Sequence, residues 1–259
     1  MVGGGRGGDR PAWPLSRYGP AARHLGQFNG AYLVGRPVPT GRWLARGWLR
    51  SWVEAARDSV AALPAALNQP LVARVYPPDV ADSIARLWGE REQWLTALDR
   101  LPHTLCHQDA FRRNLVARDR PGGEAETVAL DWAFVGISPL GSELAPLIQA
   151  SVGLLEVAPA DAGALEQMCV DAYLTGLADA GWAGDPALVR LGYALSSLLR
   201  YPLGCVRLLL PALLDPRLQA GIEQTLGRPF EEIVDHWRTI TGGHLALAVQ
   251  ARAQLAAAR

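Results

Sequence analysis

The chain contains no lysine: all 25 of its Lys-plus-Arg cations are arginines, so no side-chain amine is available to clamp a phosphate. Cysteine is nearly as scarce. Cys106, Cys169 and Cys205 lie far apart in apolar contexts, with neither a paired zinc spacing nor an even-numbered disulfide framework. They read as small core residues of a protein in a reducing cytoplasm. Excess charge of either sign is also missing, because 25 acidic residues balance the 25 arginines. That balance argues against an extended basic surface for nucleic acid and against strong attraction to an anionic membrane. Long apolar runs are absent as well; Leu208-Leu209-Leu210-Pro211-Ala212-Leu213-Leu214 is too short to span a bilayer, is interrupted by Pro211, and reads as a buried helix. No charged-then-apolar leader with a small-residue cleavage site opens the chain, so a cytoplasmic location is expected.

With 259 residues and 49% hydrophobic content, the chain can bury a sizeable core as one domain. The glycine-rich start, Gly3-Gly4-Gly5-Arg6-Gly7-Gly8, follows no strand and leads into Asp9-Arg10-Pro11. It reads as a flexible leader over residues 1–16, not as a phosphate-cradling loop. Helical spacing dominates the rest of the first hundred residues: Tyr18, Ala21, Ala22, Leu25, Phe28 and Tyr32 recur at intervals of three and four, as do Trp48-Trp52 and Ile84-Leu87-Trp88-Leu95. The C-terminal half predicts helices too. One carries Leu165, Met168, Cys169, Ala172, Tyr173 and Leu177 and stops near Gly181. A second starts after Asp185-Pro186 with Leu188, Leu191, Leu195, Leu198 and Leu199 on one face. The last runs from about Pro229 through Ile233, Trp237 and Ile240 to the Ala-rich tail.

Between these helical halves lies the most informative stretch: His107-Gln108-Asp109-Ala110-Phe111-Arg112-Arg113-Asn114, then Thr127-Val128-Ala129-Leu130 and Asp131. It has the form His-x-Asp-x-x-x-x-Asn plus a later Asp that marks phosphoryl transfer. The spacing has a chemical reason, since a base that accepts a hydroxyl proton must sit on a rigid loop beside the metal that neutralises the phosphates. Asp109 is the candidate base. Asn114 and Asp131 are the candidate Mg²⁺ ligands, offering the hard oxygens that ion prefers. His107 is the candidate orienter of the loop. Thr104-Leu105-Cys106 and Asn114-Leu115-Val116-Ala117 read as flanking strands. Arg120-Pro121-Gly122-Gly123 reads as a turn, and residues 126–130 as the returning strand of a hairpin, with both metal candidates at one end.

Simpler readings exist for each residue alone, because Asp and Asn are common turn-formers and a His beside an apolar run is often a satisfied core residue. Three fixed positions plus a strand-terminal Asp outweigh them. A hydrolase in which His107, Asp109 and Asp131 hold a metal and a water is weaker, since a His and an Asp one residue apart do not by themselves make a supported metal site. A Cys106–His107 thiol nucleophile is weaker still, because adjacent strand residues point to opposite faces.

The stretch 107–147 resembles the aminoglycoside phosphotransferase and choline kinase-like superfamily. Asp131-Trp132 has the family form, and Gly141-Ser142-Glu143-Leu144-Ala145-Pro146-Leu147 is similar to the family segment that opens the next helix. Gln108 stands where the family usually has Gly, a departure that removes no required group. The resemblance implies a mainly α fold with a small β-hairpin, the C-terminal helical lobe of a protein-kinase-like fold over residues 17–259. It places a catalytic and metal loop at 104–132 and a helical acceptor-substrate region at 140–259. It also implies Mg²⁺, with ATP or another nucleoside triphosphate as donor, and a small-molecule hydroxyl as acceptor.

In that family a β-rich N-terminal lobe carries the phosphate-clamping lysine and a Gly-rich cover. The expectation here is that this lobe is missing, through a late start, a separately encoded partner, or loss of turnover. Two functional readings follow: a small-molecule kinase, and a non-catalytic kinase-like binding module. For the acceptor region the carboxylates Glu143, Glu156, Asp161, Glu166, Asp171 and Asp179 are candidates for binding a cation, although charges at helical spacing more often face solvent. Trp182, Tyr193, Tyr201 and Trp237 are candidates for lining a more apolar pocket.

Overall fold

The computed structural model describes residues 13–120, 122, 123 and 125–257. The glycines of the predicted leader lie outside this range. Its last residues do not hang free: Trp13 packs edge-on against Tyr18 at 5.4 Å, and Leu15 sits against the same core.

The fold is mainly α, as the periodicity predicts. A long first helix, α1 (Tyr18–Leu33), is followed by a two-residue strand β1 (Ala45–Arg46) and four helices: α2 (Trp48–Glu54), α3 (Arg57–Ala66), α4 (Pro70–Val75) and α5 (Pro78–Asp99). Next come β2 (His103–Cys106), the hairpin β3 (Leu115–Asp119) and β4 (Ala125–Ala129), and β5 (Gly136–Pro139). A π-helical turn, Pro146–Ala150, runs into the short α6 (Ser151–Gly153). The chain then continues as α7 (Ala162–Asp179), α8 (Pro186–Leu214), α9 (Pro216–Leu226) and α10 (Phe230–Ala257).

The predicted hairpin forms in the register Leu115↔Ala129 through Asp119↔Ala125. Of a second small sheet only β2 was legible, as Thr104-Leu105-Cys106: β5 pairs antiparallel with β2 and parallel with β1, in the order β1-β5-β2. Its strands are two to four residues long, too short to show a period of two.

Two cores divide the molecule. One joins α1, α7 and the strand end of the hairpin around Tyr18, Leu115, Leu144 and Tyr173. Here α1 and α7 touch almost backbone to backbone, since a Cβ on Gly26 would strike the carbonyl of Tyr173 and one on Gly176 that of Arg23. The other core packs α2 to α5 and α10 around α8, with Trp94, Leu98, Leu198 and Ile233 buried in it.

Helix α8 starts as predicted, with the Asp185 side chain accepting the Ala187 N–H at 2.8 Å and Pro186 at the first position. The apolar run 208–214 is not a separate buried helix: α8 continues through Pro202 and Pro211, leaving Leu208 and Leu214 exposed. At 29 residues this helix is long and apolar enough to cross a membrane on length and composition alone, but 61% of its most apolar window is buried inside the fold.

Candidate active site

Strand β2 delivers the loop, and α1 anchors the strand. Asn29, fully buried, donates to the Leu105 carbonyl at 2.7 Å and accepts from the Tyr173 hydroxyl at 2.6 Å, while Thr104 donates to the Asn29 carbonyl at 2.7 Å. The loop that follows is held by hydrogen bonds at nearly every residue.

His107 is fully buried. Its Nε2 lies 2.7 Å from the Leu130 carbonyl, its Nδ1 accepts the Asp109 N–H at 3.3 Å, and its ring lies 4.5 Å from that of Trp132. A carbonyl can only accept, which makes the imidazole the Nε2–H tautomer and uses both ring nitrogens. The same side chain thus ties the loop bearing Asp109 to the residue preceding Asp131.

Gln108 adopts φ +67°, the left-handed region where glycine is at home. The strain is offset by its own side chain: Nε2 donates to the Phe134 carbonyl at 3.0 Å, and Oε1 accepts from Ser138 at 2.8 Å. Gly136 keeps the space open, for a Cβ there would strike Gln108 Nε2. The departure from glycine is therefore compensated by two hydrogen bonds to the β5 region.

Glu143 supports the same loop from beneath, accepting the His107 N–H at 2.6 Å and the Gln108 N–H at 2.9 Å. Its complete burial pushes the carboxyl above the usual range, opposed by the two backbone N–H groups, which favour the anion. Glu143 is consequently a loop-holding residue and no part of an acceptor pocket.

Asp109 is partly exposed, at 21%. Its Oδ1 pairs with Arg200 at 2.8 Å, and its Oδ2 accepts from the Asn114 amide at 3.0 Å. Arg200 also donates to the Gln108 carbonyl at 2.5 Å and stacks over Trp48 at 4.5 Å. Arg200 is absent from the sequence-derived candidates, although a signal was present: it is the single charge in the apolar stretch 191–206.

The two metal candidates stand at one end of the hairpin. Asn114 and Leu130 are joined through the Leu130 N–H and Asn114 carbonyl at 2.8 Å, and Asp131 follows at φ +55°. Asp131 is exposed and has no partner among the described residues. The Asn114 amide nitrogen is spent on Asp109, and its oxygen carries no hydrogen bond among the described residues. One carboxylate and one amide oxygen are a fitting donor set for Mg²⁺, which completes its shell with water and substrate phosphates. No group of three or more His, Cys, Asp or Glu side chains arranged for a metal occurs among the described residues. The fit to a nucleotide is poorer, because residues 13–102 form helices and one two-residue strand, with no lysine-bearing sheet over Asp109.

From Asp109 a cleft of about 510 Å³ extends along α8 toward α9 and α10. Trp52, Phe111, Leu209, Ile222 and Trp237 are among its walls, and among the described residues Asp109 and Arg200 are the charged ones lining it. Tyr201 and Trp237, two of the four aromatic candidates, line it. Trp182 and Tyr193 pack instead in the α1–α7 core.

None of the six candidate carboxylates lines the cleft. Glu156 pairs with Arg112 at 3.0 Å and Arg113 at 2.9 Å, Glu166 accepts from Tyr193, Asp171 meets Arg190, and Asp179 meets Arg23. Cys106 is buried, and burial followed by the nearby Glu143 pushes its thiol well above the usual range, the opposite of an activated nucleophile.

Comparison with known proteins returns one finding. The profile of the phosphotransferase enzyme family (APH) matches residues 45–178, a span that contains β1, the loop, the hairpin and α7 up to Ala178. No curated protein and no solved structure gives a match.

Proposed function

Because this chain belongs to the phosphotransferase enzyme family, we propose that it transfers the terminal phosphate of a nucleoside triphosphate, ATP in the simplest case, to a hydroxyl of a small molecule, in the cytoplasm and without nucleic-acid or membrane partners. The observation that carries this reading is Asp109, bonded to Asn114 and lining the cleft. In it Asp109 orients and accepts the proton of the acceptor hydroxyl, and Arg200 and Asn114 fix its two oxygens. Asn114 Oδ1 and Asp131 would hold Mg²⁺, which would neutralise charge on the transferring phosphate. His107 keeps those two halves of the site in register through Leu130. Residues 104–132 are the catalytic and metal segment, and the helices of 140–259 form the acceptor side. A separately encoded, lysine-bearing lobe is the protein partner whose addition is expected to raise turnover, by clamping the donor phosphates.

A second reading, a binding module without turnover, is favoured by one observation: the chain has no lysine to hold the donor phosphates. Transfer of labelled phosphate from Mg·ATP to an acceptor decides between them. The expected result is turnover in the wild type and a loss of about a thousandfold in Asp109→Ala, within the range of a lost general base. Equal turnover by both proteins would remove Asp109 from its role.

A further inference from the structure

The cleft beside Asp109 has an unusual balance of chemistry. Its walls are mostly aromatic and aliphatic, drawn from Trp48 and Trp52 of α2, Leu208 and Leu209 of α8, Ile222 of α9 and Trp237 of α10. Its two charges neutralise each other, since Arg200 is bound to Asp109 at 2.8 Å. A cationic ligand would therefore find no unpaired carboxylate, and an anionic one no unpaired cation. Burying a charge without a partner is costly, so a polycation is excluded from this space.

Three uncharged polar side chains, Gln149, Tyr201 and Thr225, also line the cleft; Gln149 donates to Tyr193 and Thr225 to the Gly221 carbonyl. Tyr201 lines the cleft, and its buried hydroxyl has no hydrogen-bond partner among the described residues. Burial raises that phenol to about 12, so it remains a neutral donor. The volume of about 510 Å³ falls within the roughly 300–1,000 Å³ of pockets that enclose small organic ligands.

We infer that the acceptor is a neutral alcohol with a large apolar body, lodged along α8 between Trp52 and Trp237 with its hydroxyl at Asp109. This deepens the phosphotransferase reading and rests on it for the fate of the hydroxyl, but binding of the apolar body stands on the cleft alone. The apolar part supplies affinity by leaving water. The hydroxyl donates to Asp109, and the Tyr201 ring adds to the apolar wall. In the transfer step the alcohol oxygen bonds to the terminal phosphorus as the bridging P–O bond breaks. The proton passes to Asp109 and the nucleoside diphosphate leaves.

Titration of the full-length protein tests this, with tryptophan fluorescence as readout because Trp48, Trp52 and Trp237 line the cleft. The probes are a long-chain primary alcohol, a sesquiterpene alcohol, and a polycationic aminoglycoside as the contrary class. Saturable binding of an apolar alcohol is expected, retained in Asp109→Asn. Leu208 is 57% exposed, so Leu208→Glu leaves Tm unchanged while putting a charge in the wall. It is expected to weaken that binding by about tenfold or more, the loss of one leucine's apolar contact. Tyr201→Phe keeps the ring and is expected to leave that binding unchanged.

No saturable signal from either alcohol overturns the inference, as does binding that Leu208→Glu leaves intact. An aminoglycoside that binds and is phosphorylated while the alcohols do neither also overturns it, yet leaves the phosphotransferase reading standing. Alcohols that bind but receive no phosphate from Mg·ATP support the ligand class assigned to the cleft and overturn the phosphotransferase reading.

Discussion

The loop at Asp109 and the cleft beside it are neighbours built on opposite principles. Residues 107–114 are fixed by directional bonds: both ring nitrogens of His107, the side chain of Gln108 and both carboxylate oxygens of Asp109 are engaged. The cleft is defined chiefly by apolar shape, with Gln149, Thr225 and the Asp109–Arg200 pair as polar exceptions in an otherwise aromatic and aliphatic lining. The contrast divides the labour, for a proton acceptor must be held to a fraction of an ångström, whereas an apolar body needs only a wall that excludes water. Arg200 belongs to both, bonded to the loop and stacked on Trp48 of the cleft.

The strongest way to break the contrast is to remove the buried support of the loop. Glu143→Ala leaves the N–H groups of His107 and Gln108 without their carboxylate inside the protein, an expected cost of about 4 kcal/mol, read from urea unfolding. Glu143→Gln, which keeps one acceptor oxygen, is expected to lose less.

The helical half has its own sensitive point. His244 lines a narrow crevice with Val80, Ile84 and Leu198, and burial lowers it from 6.5 to about 4. The unfolded chain therefore binds more protons than the fold between those values, and stability is lost as pH falls from about 6.5 to about 4. The shift corresponds to something on the order of 3 kcal/mol. His244→Leu is expected to flatten that part of the stability profile, measured by thermal unfolding at a series of pH values. The smallest effect belongs to the far end of the hairpin. Glu126, drawn down to about 2 by its hydrogen bonds with Arg118 and Arg120, lies at the surface. Surface pairs contribute little, and Glu126→Gln is expected to leave both Tm and turnover unchanged.

The sequence was legible where the information is local. The His107–Asn114 spacing, the hairpin around residues 115–129 and the cap at Asp185 depend on residues close in the chain, and each is visible as a pattern. What it hid depends on distance. Arg200 meets Asp109 across 91 positions, and Asn29 meets Leu105 across 76. Neither pairing leaves a periodic trace. Glu143 looked like one more helical carboxylate because burial, which gives it its role, is a property of the folded chain. Strands β1 and β5 were hidden by their length, and α8 by prolines that interrupt the pattern without ending the helix. The apolar cleft was half legible: Tyr201 and Trp237 were candidates, but nothing in the sequence said that α8, α9 and α10 leave a space between them.

The phosphotransferase reading stands or falls on whether the hairpin end at Asn114 and Asp131 serves a metal-bound phosphate donor. Thermal unfolding with Mg²⁺ plus ATP, with ATP alone, and in Asp131→Ala puts that question to the protein. The expected result is a rise in Tm of a few degrees that requires both Mg²⁺ and Asp131, as mass action on the folded state demands. No rise at millimolar ligand, or an equal rise in Asp131→Ala, would contradict it.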